Sequence, residues 1–219
     1  MKTNVYIDGL NLYNGAVKGT NNKWLNPQAL VQALLPTASI NRIRYFTARV
    51  KARPHDPDAP DRQEFYLRAL RTLPVLEIIE GQFKARRGKY PIYPYRYAQG
   101  AGPGALPLME EIIKDEEKGT DVNIAAYLLL DCFRGDYEQA VVVSNDSDLA
   151  LPVRIVRDEF RKPVIVINPQ RRARQGVWEM RRASTRMIDR INTSLLRRCQ
   201  FPDQLTDAQG LFSKPLGWY

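Results

Sequence analysis

Two short runs, "AVVV" at residues 140–143 and "VIVI" at 164–167, are apolar at every position. A strand with one face in water alternates apolar and polar residues, whereas a strand apolar on both faces needs cover on both. That arrangement belongs to parallel sheets packed between two layers of helix. Three further segments, "TNVYIDG", "INRIRYFTARV" and "VLEIIEGQF", read as strands because they are rich in β-branched and aromatic residues between turn formers. Helical patterns separate them: "LNLYNGAVKG", "NPQALVQALLP", "DRQEFYLRALRTL", "PLMEEIIKDEEKG", "TDVNIAAYLLLDCF" and "DLALPVRIVRDEF". Strand alternating with helix predicts an α/β fold around a central, mainly parallel sheet of about five strands.

Two regions leave this rhythm. Residues 84–107, "KARRGKYPIYPYRYAQGAGPGALP", mix Arg, Lys and Tyr with Pro and Gly, and predict a surface excursion that is irregular or forms a short hairpin. Residues 200–219 lack periodicity and predict a tail packed on the domain or on a partner, leaving 1–199 as one domain. No run reaches the roughly 18–20 apolar residues of a membrane span, and the N-terminus lacks the charged-then-apolar order of a signal peptide, so the expected location is the cytoplasm. Cys132 and Cys199 make neither a disulfide framework nor a zinc knuckle, and His55 is the sole histidine. Chemistry that needs a histidine base or a soft-ligand metal is thereby disfavoured.

An open parallel sheet gathers the carboxyl ends of its strands along one edge, where ligands bind. Asp8 ends the first strand in "VYIDGLN", Asp146 and Asp148 follow the fourth in "VVVSNDSDL", and Asp121 follows Gly119 at the start of an apolar helix. Taken singly, each has an ordinary use in a turn or as a helix cap. Together they predict a carboxylate cluster. Buried acids repel and take up protons unless a cation joins them, and hard oxygen ligands suit Mg²⁺ or Mn²⁺. Such a site serves in-line displacement at phosphorus.

The net charge of +9 is concentrated rather than spread. Between Arg154 and Arg198 there are 13 Lys or Arg and four Asp or Glu, while the rest of the chain balances. A positive field so localised suits a polyanion. Arg171, Arg172 and Arg174, directly after the fifth strand, are candidates for phosphate contacts. Arg86, Arg87 and Lys89 are interleaved with tyrosines including Tyr93, which serve either to stack unpaired bases or to close the excursion onto the core or onto a second copy in a homodimer. Lys118, beside the Gly119 turn, either neutralises a phosphate near Asp121 or pairs with a neighbouring Glu.

The segments "VYIDGLNLYNG", "EKGTDVNIAAYLLLD" and "VVVSNDSDLALPV", in this order and spacing, resemble the NYN domain family of PIN-like nucleases, including the LabA/DUF88-type bacterial proteins. The resemblance covers residues 3–215 and implies a PIN-like, Rossmann-like three-layer fold and metal-dependent cleavage of RNA to 5′-phosphate and 3′-hydroxyl ends. Its acidic positions fall on Asp8, Asp121, Asp146 and Asp148. It also places Asn11 beside Asp8 or a phosphate, with Ser144 and Asn145 in support. Many relatives carry a further acid where this chain has Tyr127.

The expected function is thus a ribonuclease using Mg²⁺ or Mn²⁺. The alternative is a PIN-like module that binds RNA or protein with little turnover. A haloacid dehalogenase-type phosphohydrolase needs a second Asp two positions after the first, where Leu10 stands.

Overall fold

The computed structural model describes residues 1–170 and 177–218, with side chains for all of these but 84, 85, 114–116 and 177. The strands are β1 (Lys2–Asp8), β2 (Ser39–Ala48), β3 (Leu76–Pro91), β4 (Met109–Lys118), β5 (Gln139–Val143), β6 (Val164–Ile167), β7 (Arg186–Ile188), β8 (Gln204–Asp207) and β9 (Gly210–Ser213). The helices are α1 (Gly9–Leu12), α2 (Pro27–Leu34), α3 (Ala59–Arg71), α4 (Thr120–Phe133), α5 (Ala150–Asp158), α6 (Val177–Ala183) and α7 (Thr193–Arg198). Tyr13–Val17 prolongs α1 as a π-helical turn.

Seven strands form one sheet in the order β4-β3-β2-β1-β5-β6-β7, all parallel except β4. The sheet is therefore two strands wider than the five that the sequence predicts. β7 has only three residues, too few to show a period. The all-apolar runs are central as expected, and alternate residues divide between two cores. Val5, Ile7, Val141, Val143, Ile165 and Ile167 face α2, α3 and α7. Tyr6, Val142, Val164 and Val166 face α4, α5 and α6. This is the three-layer α/β arrangement that the alternating pattern predicts. Among the described residues no helix is long and apolar enough to cross a membrane.

One predicted helix is a strand. "PLMEEIIKDEEKG" contains β4, which pairs antiparallel with β3 from Gln82↔Lys118 to Pro91↔Met109. Its Glu and Lys residues favour helix only weakly, and the ladder offered by β3 outweighs that preference. β3 accordingly runs on through the basic segment to Pro91, so regular structure extends well into what reads as an irregular excursion. β2 pairs with β3 only as far as Ala48↔Gly81. Beyond that point β3 and β4 continue as a two-stranded ribbon, rising past the carboxyl edge of the sheet by about 30 Å at roughly 3.3 Å per residue.

The last residues also have form. β8 and β9 make a hairpin, and Phe201, Phe212 and Trp218 enter the core with Trp24. Trp24 lies edge-on to Phe201, Phe212 and Trp218 with ring centroids 5.9–6.4 Å apart.

Candidate active site

The order of strands reverses between β1 and β5, since chain connections run outward to β2 and β3 on one side and to β6 and β7 on the other. The two central strands separate their following loops there and open a crevice at their carboxyl ends. Asp8 is the last residue of β1, and Ser144 follows β5 directly.

Asp8 is almost fully buried. Its Oδ1 accepts from the Asn11 backbone N–H at 2.9 Å, which caps α1, and its Oδ2 accepts from Ser144 Oγ at 3.1 Å. The turn needs glycine at position 9: a Cβ there would stand 2.6 Å from the Tyr45 ring and 2.7 Å from the Phe46 carbonyl oxygen. Ser144 Oγ in turn accepts from the Asp146 N–H at 3.1 Å. Asp146 caps the 3₁₀ turn Ser147–Leu149, its Oδ1 accepting from the Asp148 N–H at 3.0 Å. Asp146 is half-buried, as is Asn145, and Asp148 is exposed. Asp121 sits in the first turn of α4, where the helix dipole favours an acid. Gly119, with φ 95°, turns the chain from β4 into that helix.

A fifth carboxylate joins these four. Glu117, one residue from the end of β4, is half-buried, and its Oε1 has no hydrogen-bond partner among the described residues. Reading residues 107–119 as a helix conceals it, because only the β3–β4 ladder carries Glu117 to the edge. The glycine turn directly after "EEK" is the one trace of this in the sequence. Gly81 makes the room: a Cβ there would lie 2.9 Å from Thr120 Oγ1 and 3.6 Å from Glu117 Oε1.

The carboxylates share one electrostatic environment. Burial pushes Asp8 up to about 6, and the negative charges of Asp121 and Asp146 add to the rise against the two hydrogen bonds. Burial likewise pushes Glu117 up to about 7, helped by Asp8 and Asp121. Asp121 is raised by burial and then by Asp146 and Asp148. Among the described residues three oxygen atoms here are buried without partners: Asn11 Oδ1, Glu117 Oε1 and Thr120 Oγ1.

The donor set is entirely hard oxygen, which in its chemistry fits Mg²⁺ or Mn²⁺. Among the described residues, no three His, Cys, Asp or Glu side chains already stand as a closed set of metal ligands. An ion would have to draw the carboxylates inward, as their mutual repulsion without one would lead one to expect.

A family model for the NYN domain matches residues 2–195. The chain belongs to the NYN domain family. The NYN family lies within the PIN-like nuclease superfamily, so nuclease-like chemistry and RNA as the class of substrate are supported at the level of the family. A curated relative, named 6-hydroxy-3-succinoylpyridine 3-monooxygenase HspA, from Pseudomonas putida (strain DSM 28022 / S16), is 28% identical over 245 aligned residues. That alignment covers 100% of this NYN chain and 76% of the relative. A solved structure, the protein of unknown function VPA0982 from Vibrio parahaemolyticus RIMD 2210633, is 14% identical, with a TM-score of 0.48 over 88% of this chain and 93% of that one.

The other candidate residues of this NYN domain are scattered. Arg86, Arg87 and Lys89 lie exposed on β3 in the ribbon, and Tyr93 follows it, 86% exposed. Lys118 is exposed at the end of β4, on the face opposite Glu117. Arg171, Arg172 and Arg174 lie outside the described residues. Tyr127, at the position where the family resemblance leads one to expect a further acid, lies under the Arg44 guanidinium at 4.2 Å and beside Phe46. Asp131 is in the core and accepts from Arg44 and from the Tyr6 hydroxyl, so it belongs to an internal ion pair rather than to the carboxylate edge.

Proposed function

We propose that this NYN domain is a ribonuclease dependent on Mg²⁺ or Mn²⁺. The observation that carries the reading is the convergence of Asp8, Glu117, Asp121, Asp146 and Asp148 on one edge, with the buried members pushed toward protonation and three oxygen atoms left unpartnered. An isolated acid cluster of this kind opposes folding and binding of an anion alike; with a hard dication it favours both.

Asp8, Asp121 and Asp146 would hold the ion, with Asp148 beside them. When bound, the ion supplies Lewis acidity toward water and toward the phosphate oxygens. Asn11 N–H and Ser144 Oγ fix the Asp8 carboxylate, so its orientation does not have to be found at each turnover. Glu117, half-buried beside Asp8 and Asp121 with its Oε1 unpartnered among the described residues, would take the proton from the attacking water. Water adds to phosphorus in line with the 3′ oxygen, the P–O3′ bond breaks, the departing 3′ oxygen takes a proton from solvent, and the products carry a 5′-phosphate and a 3′-hydroxyl.

The test compares wild type, Asp8→Asn and Asp146→Asn on end-labelled structured and unstructured RNA with Mg²⁺, Mn²⁺ or EDTA, and maps the product ends. Cleavage should need the ion and fall by roughly 10²-fold or more in each variant. Full cleavage in excess EDTA would sink the reading. Undiminished RNA affinity with no cleavage of any RNA in Mn²⁺ would instead leave a binding module.

A second reading rests on the relative named as a pyridine monooxygenase, whose alignment spans the whole of this chain. On it, the same edge would act on a small heteroaromatic compound. Oxygen uptake that depends on 6-hydroxy-3-succinoylpyridine and a reductant, from a protein that cleaves no RNA, would favour it.

A further inference from the structure

A cavity of about 520 Å³ opens beside the β1–α1 turn, sharing Gly9 and Leu10 with it. That is ample for one small ligand. Its composition is unusual on two counts. Aromatic rings form much of the wall: Tyr45, Tyr66, Phe83 and Trp218. Tyr66 packs against Tyr45 and Trp218 with centroids 6.2 and 6.0 Å apart, so this wall is part of the core and already fixed in place. Among the described residues that line it are five cations, Lys18, Lys23, Lys51, Arg53 and Arg62, and one acid, Asp56, which pairs with Arg62. Rings alone would suit an apolar ligand and cations alone a bare anion. Both together select a planar ring joined to a negative charge.

We propose that this cavity seats one nucleotide, either free or as the 5′-phosphorylated end of an RNA strand, with the base against the aromatic wall and the phosphate on the lysines and arginines. The strand-end form deepens the ribonuclease reading and rests on it. Phe83 of the wall is the register partner of Glu117, and Gly9 follows Asp8 in the chain. The cavity therefore opens at the same end of the sheet as the carboxylates, and a strand held here by its first nucleotide would pass toward them. The expected consequence is faster cleavage of strands that begin with a 5′-phosphate than of those that begin with a 5′-hydroxyl.

Binding is measured by calorimetry in EDTA, so that it is independent of cleavage. The probes are AMP, adenosine, inorganic phosphate, nicotinate, and pentaadenylate with a 5′-phosphate or a 5′-hydroxyl. AMP should bind at least tenfold more tightly than adenosine, phosphate or nicotinate. Lys51→Glu, and independently Lys23→Glu, should weaken AMP by about tenfold while the melting temperature holds. Tighter binding of the 5′-phosphorylated pentamer than of its 5′-hydroxyl form assigns the cavity to a strand end; binding of AMP but of neither pentamer assigns it to the free nucleotide. AMP binding no tighter than phosphate, nicotinate binding as tightly as AMP, or wild-type AMP affinity in both variants overturns the proposal. Intact AMP binding in a protein that cleaves no RNA would count against the ribonuclease reading and leave the nucleotide site standing.

Discussion

Ser144 Oγ donates to Asp8 Oδ2 at 3.1 Å and accepts from the Asp146 N–H at the same distance, so one hydroxyl ties the ends of two adjacent parallel strands together. The link holds two carboxylates close although their charges repel, and it does so with small, stiff groups. Strain at this edge is therefore relieved by protons or by a cation rather than by movement of the strands.

Stability should depend on pH through Asp8. An acid whose folded-state pKa lies above its unfolded value binds more protons folded than unfolded between the two. Its contribution is fully present below roughly pH 4 and is lost as pH rises through about 6. Asp8→Asn removes the group that has to ionise. In EDTA the variant should melt above wild type at pH 8, by several degrees, given roughly 2–4 °C per kcal/mol for a domain of this size, and the advantage should shrink through pH 5 and vanish only below roughly pH 4. A difference that stays constant across this range would contradict the assignment.

Mn²⁺ should restore at pH 8 what ionisation removes. An ion that binds only the folded state stabilises it by about 2.7 kcal/mol at 100 times its dissociation constant. The melting temperature of wild type should rise with Mn²⁺, and the rise should shrink strongly in Asp146→Asn. Equal shifts in the two proteins would place the ion elsewhere.

Asp131 offers a control that is acidic, buried and away from the edge. Arg44 reaches it with Nε at 2.9 Å and Nη2 at 3.1 Å, and the two residues are 5% and 2% exposed. Removing Asp131 leaves Arg44 with only the exposed Glu77 as an acidic partner and strands the buried Tyr6 hydroxyl, at a cost approaching the roughly 3–5 kcal/mol of a broken buried pair. Asp131→Ala should therefore melt far below wild type in chemical denaturation yet keep the Mn²⁺ shift. A loss of metal response with stability intact would move Asp131 into the site.

The architecture and four of the five edge carboxylates were legible because each leaves a local mark. Runs such as "AVVV" signal burial on both faces, and acids at strand ends and helix starts, each an ordinary cap when taken singly, all fall on the edge where an open parallel sheet binds ligands. Glu117 leaves no such mark. Its position depends on β4 pairing with β3 across a connection of 17 residues, from 92 to 108, and nothing within "MEEIIKDEEK" discloses that partner. Tyr45, Tyr66 and Trp218 likewise leave no functional mark in the sequence, since the cavity they wall exists through contacts between remote elements. The tail hairpin is concealed for the same reason: four-residue strands are too short to display a period.

Glu117 should matter to rate more than to metal binding. Glu117→Gln keeps the size and one acceptor of the side chain but cannot take a proton. RNA cleavage should fall by roughly 10²-fold or more, as is usual when a general base is lost, with the Mn²⁺ shift in melting temperature retained. The variant should also gain stability at pH 8 in EDTA, because the raised carboxyl is no longer there to ionise. Undiminished cleavage would assign the proton transfer to another group.

The ribbon predicts an asymmetry among its cations. Residues directly opposite in an antiparallel pair share a face, and faces alternate along each strand. Phe83 pairs with Glu117, so Arg87 and Lys89, two and three steps of two residues further along β3, lie on the face that Glu117 presents to the site, while Arg86 lies on the other. A strand of RNA leaving the carboxylates would run along the first face. Charge reversal at Arg87 or Lys89 should therefore weaken RNA binding and lower the slope of log affinity against log salt by about one unit for each phosphate no longer neutralised, nearer 0.7 for single strands. Reversal at Arg86 adds the same charge to the ribbon but should change both quantities much less. Binding titrations at several salt concentrations separate the cases: equal effects at all three positions would mean that the ribbon acts only through its overall charge.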